Sequence, residues 1–270
     1  MFIVLVLAYA ATQIAILVIS TKSPGAVRLW LPMVAATLLG GALLAIYVSL
    51  VRMMERRTPA ELAPKPGGLL ILGGLAVGVL LFCSVYAVLW AYGAAHFIGF
   101  NGPAGVALPL AMAILAGVGE ELIFRGVVFR VVEESCGTFV ALVVSAGVFG
   151  LVHLSAPGAT AASTLAIALE AGLLLAAAYL VTRNLWFPIG LHIGWNFTEG
   201  GVFGSAVSGH GTSGLLNTLL TGPASLTGGS FGPEASPAAV SVCLVVAIVL
   251  LAWALARGEW RPFGLRLYPR

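Results

Sequence analysis

The chain has 270 residues, of which 60% are hydrophobic and only 9% are charged, and its net charge is +3. Soluble globular proteins carry roughly 25% charged residues, so this composition excludes a soluble globular protein and makes the bilayer the solvent. The small charge argues against a nucleic-acid partner, because contact of basic residues with lipid headgroups accounts for it equally well. The three cysteines show no CxxC spacing and are predicted to be packing residues.

Hydropathy predicts an all-α membrane protein with about eight transmembrane helices, since a spanning helix needs about 20 apolar residues. In chain order the helices cover residues 1–21, 29–51, 68–93, 104–131, 138–154, 161–182, 188–206 and 237–256. No basic segment precedes the first, which is typical of a spanning helix rather than a cleaved signal peptide. A Gly/Ser/Thr/Pro-rich loop, 207–236, follows the seventh helix, and a basic aromatic tail, 257–270, ends a single membrane domain, 1–270.

The distribution of basic residues predicts the orientation. With eight helices both termini share one side of the membrane, and that side receives Arg52, Arg56, Arg57, Lys65, Arg130, Arg183, Arg257, Arg261, Arg266 and Arg270. The opposite side receives only Lys22 and Arg28. The positive-inside rule therefore places both termini in the cytoplasm and the 207–236 loop outside. The Ala, Gly, Leu and Arg bias suggests a bacterial cell membrane.

Polar side chains occur inside three of the predicted helices. Ionisable groups are costly in hydrocarbon, so each is a functional hypothesis by default. Six such residues lie in the fourth, fifth and seventh helices: Glu120, Glu121, Arg125, His153, His192 and Asn196. Glu170 stays open between support of a site and packing, and Glu199 between support of a site and a position near the outer surface. The role of Glu234 is open as well.

Helix geometry separates the two adjacent glutamates. Glu121 and Arg125 are four residues apart, so they share a helix face and are predicted to form an ion pair. Glu120 points about 100° away from Glu121 and is left as the free carboxylate. Arg125 is nevertheless long enough to reach either one.

Depth along the helices gives a second constraint. Glu120 lies sixteen residues before Cys136 and His153 lies sixteen after Gly137, so an antiparallel hairpin brings the two level. His192 is only a few residues inside the seventh helix, on the side of the same turn. For all three to meet, either the hairpin protrudes from the membrane or the LWFP connection dips into it.

These residues form three motifs in order along the chain. EELIFR fits the pattern EExxxR, FGLVH fits FxxxH through Phe149 and His153, and HIGWN fits HxxxN through His192 and Asn196. The two FxxxH residues share a helix face, as do the two HxxxN residues. The motifs resemble those of the CAAX protease and bacteriocin-processing family (CPBP, also called Abi), and the resemblance spans residues of about 105–240.

The resemblance implies an intramembrane endopeptidase of the glutamate type that acts on a membrane-associated peptide or protein. Glu120 would be the general base, and His153 would join it in holding and activating a water molecule. His192 and Asn196 would stabilise the oxyanion. No cofactor is implied.

The residue types suit that chemistry. Amide hydrolysis needs a base and hydrogen-bond donors aimed at the developing oxyanion, and an asparagine amide is such a donor. The resemblance also implies that Glu121 and Arg125 set the electrostatics around the base, with Phe149 as a further supporting residue.

Other functions fit parts of the pattern. Zinc catalysis stays open, because a glutamate and two histidines could supply three ligands and leave the fourth position to water, although the sequence has no HExxH. A non-catalytic partner-binding or immunity protein could use the same residues as interhelical hydrogen bonds. A proton or small-molecule transporter could use buried Glu and His as a relay, but no inverted repeat is present.

Overall fold

The computed structural model describes residues 1–264, and within that range seven helices are long and apolar enough to cross a membrane. They are α1 Phe2–Lys22, α2 Leu31–Glu55, α3 Pro64–Ala91, α4 Pro103–Cys136, α5 Thr138–Ser155, α6 Ala161–Thr182 and α8 Pro237–Ala256. The all-α polytopic fold is therefore confirmed, and the chain is an integral membrane protein. The end of the predicted tail, with Arg266 and Arg270, lies outside the described residues.

The remaining predicted helix, α7, is shorter than expected. It runs from Trp186–Asn196 as an α-helix and continues through Phe197–Val202 as a π-helix. The prediction of a helix over 188–206 therefore ended four residues too late. All eight predicted helices exist, but α7 falls short of the about 20 residues that a spanning helix needs.

Two predicted irregular segments contain strands that pair with each other. The β1 strand, Ala95–Phe100, lies between α3 and α4, and the β2 strand, Leu216–Leu220, lies within the loop before α8. They form a two-stranded antiparallel sheet, with Ala95 opposite Leu220 and Phe100 opposite Leu216. The sheet joins the α3–α4 and α7–α8 connections at one end of the bundle.

Ion pairs join the connections at the other end. Arg183, which follows α6, contacts Glu133 of α4 at 2.5 Å and Glu259 after α8 at 3.1 Å. In the α2–α3 connection, Arg57 contacts Glu61 at 2.8 Å. The α4 end, the α6–α7 connection and the segment after α8 therefore lie together, as an alternating bundle of eight segments requires.

The length of α4 bears on how the predicted site residues reach one depth. A helix of 34 residues rises about 50 Å, and even a 40° tilt would leave about 39 Å along the membrane normal, against a hydrocarbon core of about 30 Å. Glu121 lies fifteen residues before the end of α4, whereas His192 lies only six residues after the start of α7. Because His192 nevertheless contacts Glu121, α4 extends further past this contact than α7 does. A protruding hairpin and a dipping LWFP connection both stay predictions.

Glycines let α3 and α7 pack backbone against backbone. Gly74 and Gly78 of α3 face Gly190 and Gly194 of α7, each pair with the small-xxx-small spacing that allows close helix approach in membranes. A Cβ at Gly74 would lie 2.1 Å from a backbone oxygen of α7, and one at Gly190 would lie 2.2 Å from one of α3. His192 lies between the two α7 glycines, so this contact fixes its position.

We expect Gly74→Ala to destabilise the folded protein, whereas Gly73→Ala should not. A methyl group at position 74 collides with the α7 backbone, while one at position 73 meets only the Phe187 ring, at an ordinary 3.8 Å. Overpacking of this kind costs about 1–3 kcal/mol. Thermal unfolding in detergent, followed by tryptophan fluorescence, compares the two variants. Equal midpoints for both would contradict the proposed role of this contact.

Candidate active site

Glu121 is the centre of a buried ionic contact. Arg125 Nη1 donates to Glu121 Oε1 at 2.8 Å, and both side chains are fully buried, with 0% of their surface exposed. The predicted ion pair within α4 is therefore confirmed. His192 Nδ1 lies 3.0 Å from the same oxygen, so this pair also ties α4 to α7, a contact between helices that sequence spacing does not predict.

Arg125 reaches two further helices. Its Nη2 donates to the backbone oxygens of Ala171 at 3.2 Å and Gly172 at 2.9 Å. Both oxygens belong to α6, where Ala168–Gly172 is π-helical. Such stretches occur frequently at functional sites. The guanidinium carbon also lies 4.8 Å from the centre of the Phe149 ring of α5, within the range of a cation–π contact.

Phe149 packs between the two predicted site histidines. Its ring centre lies 4.9 Å from that of His153 and 6.2 Å from that of His192. The phenyl ring is only 2% exposed. The residue predicted as a supporting one therefore contacts three polar side chains of the site, because Arg125 covers its ring from α4.

Glu120 differs from its neighbour in its surroundings. It is half-buried, and its Oε1 accepts a hydrogen bond of 2.7 Å from the hydroxyl of Tyr9, in α1. Its Oε2 has no hydrogen-bond partner among residues 1–264. The carboxylate predicted to be free of Arg125 thus has one oxygen that is buried but accepts no hydrogen bond from the described residues.

His153 and Asn196 present unused polar atoms. His153 Nδ1 lies 2.7 Å from the backbone oxygen of Phe149, and because a carbonyl oxygen only accepts, Nδ1 carries the hydrogen. In the neutral ring the lone pair is therefore on Nε2. The side chain of Asn196 makes no hydrogen bond within the described part of the chain, and it lies one turn after His192 on α7.

A cavity of about 1010 Å³ brings these residues together. Its wall contains all four predicted catalytic residues: Glu120, His153, His192 and Asn196. Glu121 and Arg125 lie behind that wall, where water and substrate have no access to them. The structure thus separates four residues that face the cavity from a buried ion pair that supports them.

Three glutamates with open roles lie beside the same cavity or just behind it. Glu170, Glu199 and Glu234 are 1%, 0% and 3% exposed. The backbone N–H of Ser208 donates to Glu234 Oε1 at 2.6 Å. Burial raises the pKa of the Glu234 carboxyl, although hydrogen bonding by Ser208 and the nearby His153 oppose the shift. Glu170 and Glu234 line the cavity, so neither is a plain packing residue of the lipid-facing surface.

Sequence reasoning missed the contribution of α1. Tyr9 and Gln13 both line the cavity, and the Gln13 amide donates to the Tyr9 hydroxyl at 2.6 Å. Their spacing of four residues inside an uncharged apolar helix was the available signal, because it places two polar groups on one face of a spanning segment.

A family comparison covers most of the site. Residues 102–198 match the family model described as Rce1-like, type II CAAX prenyl endopeptidase Rce1-like. This segment is similar to the Rce1-like family. It runs from the start of α4 into α7 and contains all seven predicted site residues, so the resemblance read from the three motifs is confirmed.

The match supports a CAAX-type membrane protease, which is a hydrolase, with a membrane-associated protein as substrate. The Rce1-like match ends at residue 198, short of the predicted 240, so Glu199 and Glu234 lie outside it, as does α1. Comparisons with curated proteins and with solved structures found no match.

A catalytic zinc ion would need three protein ligands at one place. Among residues 1–264 no three His, Cys, Asp or Glu side chains are arranged to hold a metal ion. The carboxylate nearest to a histidine, Glu121, is already paired with Arg125. Whether the reaction needs zinc stays a question for chelation, and the absence of a cofactor stays a prediction.

Proposed function

We propose that this chain is an intramembrane endopeptidase in which Glu120 activates the water that hydrolyses a peptide bond. Two observations carry the proposal: Glu120 lines one cavity together with His153, His192 and Asn196, and its buried Oε2 has no hydrogen-bond partner among residues 1–264. A base must lie within hydrogen-bond reach of the proton that it takes, and this oxygen is the one atom of the carboxylate without a partner among the described residues.

In the first step a water molecule lies between Glu120 and Nε2 of His153. Glu120 takes a proton from the water, and the water oxygen attacks the scissile carbonyl carbon at the same time. The carbonyl π electrons move to oxygen and give a tetrahedral oxyanion. In the second step the carboxylic acid of Glu120 returns that proton to the leaving amine, the C–N bond breaks, and the carboxylate is restored.

His192 and Asn196 supply the oxyanion donors in this mechanism. Because His192 Nδ1 contacts Glu121, its Nε2 is the atom that can face the substrate. Nε2 donates only when the ring is an imidazolium, and the adjacent Glu121 carboxylate stabilises that form. The Asn196 amide donates a second hydrogen bond. Donors of this kind are worth about 10²–10³ in kcat each.

The lining of the cavity favours a substrate presented by the bilayer. Apolar side chains of α1 and α4 form much of the wall: Phe2, Val6, Leu17, Leu108, Met112 and Ala116. An apolar segment or lipid-modified peptide can lie against these side chains without exposing them to water, since apolar surface gains from burial. The proposed substrate is therefore a membrane-associated peptide or protein.

Cleavage by the purified protein tests this proposal together with its metal alternative. The protein, in detergent and after exhaustive chelation, is incubated with a set of fluorogenic peptides that carry a lipid anchor. We expect cleavage at the rate of the untreated protein. Loss of cleavage on chelation and its return with zinc would support the zinc enzyme instead. Absence of cleavage from every peptide, with and without zinc, would favour a non-catalytic partner-binding protein.

A further inference from the structure

A hydrogen-bond chain connects α1 to the proposed base. The Gln13 amide nitrogen lies 2.6 Å from the Tyr9 hydroxyl, which lies 2.7 Å from Glu120 Oε1. The ionised carboxylate can only accept, so Tyr9 must use its single hydrogen there. The Tyr9 oxygen is then left as an acceptor, and the Gln13 amide donates to it. The direction of the whole chain is fixed by the carboxylate at its end.

The backbone of α4 is shaped to receive the Tyr9 ring. A Cβ at Gly119, the residue before Glu120, would lie only 2.3 Å from an atom of that ring. The Tyr9 ring therefore packs against α4 at a residue without a side chain. This packing fixes the direction from which the Tyr9 hydroxyl donates to the Glu120 carboxylate. Gly119 and Tyr9 thus form a second, independent contact at the same place.

We propose that Tyr9 is a positioning residue for Glu120. It holds Oε1 in one orientation, so that Oε2, which has no partner among residues 1–264, is the oxygen left to take the proton of the attacking water. Gln13 orients the Tyr9 hydroxyl in turn. This inference rests on the proposed role of Glu120 as base. It adds a residue of α1 to the site, although α1 lies outside the segment matched by the family comparison.

An infrared measurement tests the contact without any substrate. The carboxylate band of Glu120 is identified as the band lost in Glu120→Gln. We expect Tyr9→Phe to shift that band, because a carboxylate that accepts a hydrogen bond from an O–H group differs in its stretching frequency from one that does not. Gln13→Leu should shift it less, since the Tyr9 hydroxyl remains. An unshifted band in Tyr9→Phe would overturn the inference.

Kinetics with a cleaved peptide test the positioning role. Tyr9→Phe should lower kcat about tenfold or more, the size expected for a hydrogen bond to a charged group, and leave KM within about twofold, because ground-state binding is unaffected. The double variant Tyr9→Phe/Gln13→Leu should match Tyr9→Phe alone, since Gln13 acts only through the hydroxyl. Additive losses, or a rise in KM alone, would contradict positioning.

A matched control separates this role from general packing. Tyr47 also donates its hydroxyl to a glutamate, Glu61, in the α2–α3 connection. Tyr47→Phe should leave kcat and the Glu120 band unchanged even if it lowers the melting temperature. Full activity of Glu120→Gln would refute the proposed function. If Glu120→Gln is inactive but Tyr9→Phe keeps its kcat and its Glu120 band, only the inference about Tyr9 is refuted.

Discussion

Replacing Glu120 with glutamine should abolish peptide cleavage while the protein stays folded. Glutamine has nearly the same shape but cannot take a proton from water, and a general base contributes about 10²–10⁴ to the rate. The variant is expected to fold because its side-chain oxygen can still accept the Tyr9 hydrogen bond. Turnover of a lipid-anchored peptide, measured beside size-exclusion profiles and melting temperatures, checks both parts of this expectation.

The control for this experiment is a second glutamate on the same helix. Glu134→Gln changes a half-buried carboxylate that contacts Arg130 at 3.2 Å near the end of α4, away from the cavity. It should cleave the peptide at the unmodified rate. Wild-type turnover by Glu120→Gln would show that another group is the base, and equal losses in both variants would point to damage of α4 instead.

Arg125→Met is expected to destabilise the protein more than either Gly74→Ala or Glu120→Gln. It leaves the Glu121 carboxylate without its cation at a place with 0% exposure, and it removes the donor to two carbonyl oxygens of α6. Breaking a buried pair by removing one partner costs about 3–5 kcal/mol. The yield of monodisperse protein and the melting temperature in detergent measure the effect.

A second substitution should recover much of that loss. In Arg125→Met/Glu121→Gln neither member of the ion pair carries a charge, and replacing a whole buried pair is often nearly neutral. Stability should therefore return towards that of the unmodified protein, without full activity. As a comparison, Arg130→Met removes an arginine whose glutamate partners are 24% and 26% exposed, and it should cost much less. A double variant no more stable than Arg125→Met would show that the α6 contacts dominate instead.

Contacts within one helix could be predicted from sequence, because helical spacing alone decides them. The Glu121–Arg125 pair follows from a separation of four residues, and the eight helices follow from hydropathy. The prediction that Glu120 and His153 lie level rests on the symmetry of one hairpin, and both residues line the same cavity. The family resemblance was predicted from the three motifs, because helix geometry alone does not indicate a family.

Contacts between helices could not be predicted in the same way. The Tyr9–Glu120 bond joins residues 111 positions apart, and the His192–Glu121 contact joins residues 71 apart. Both depend on how two helices cross, which is decided by small residues such as Gly119, against Tyr9, and Gly117, against Ile193, rather than by the polar residues themselves. The β1–β2 sheet was missed because each strand is a short apolar run inside a glycine-rich connection.

The ion pairs that gather the α4 end, the α6–α7 connection and the segment after α8 have a practical consequence for experiments in cells. An even number of segments separates the first residue from the segment after α8, so both ends of the chain are predicted to face the same compartment. A reporter fused before α1 and one fused after α8 would therefore give the same signal, while a reporter inserted beside the β1–β2 sheet would give the opposite one.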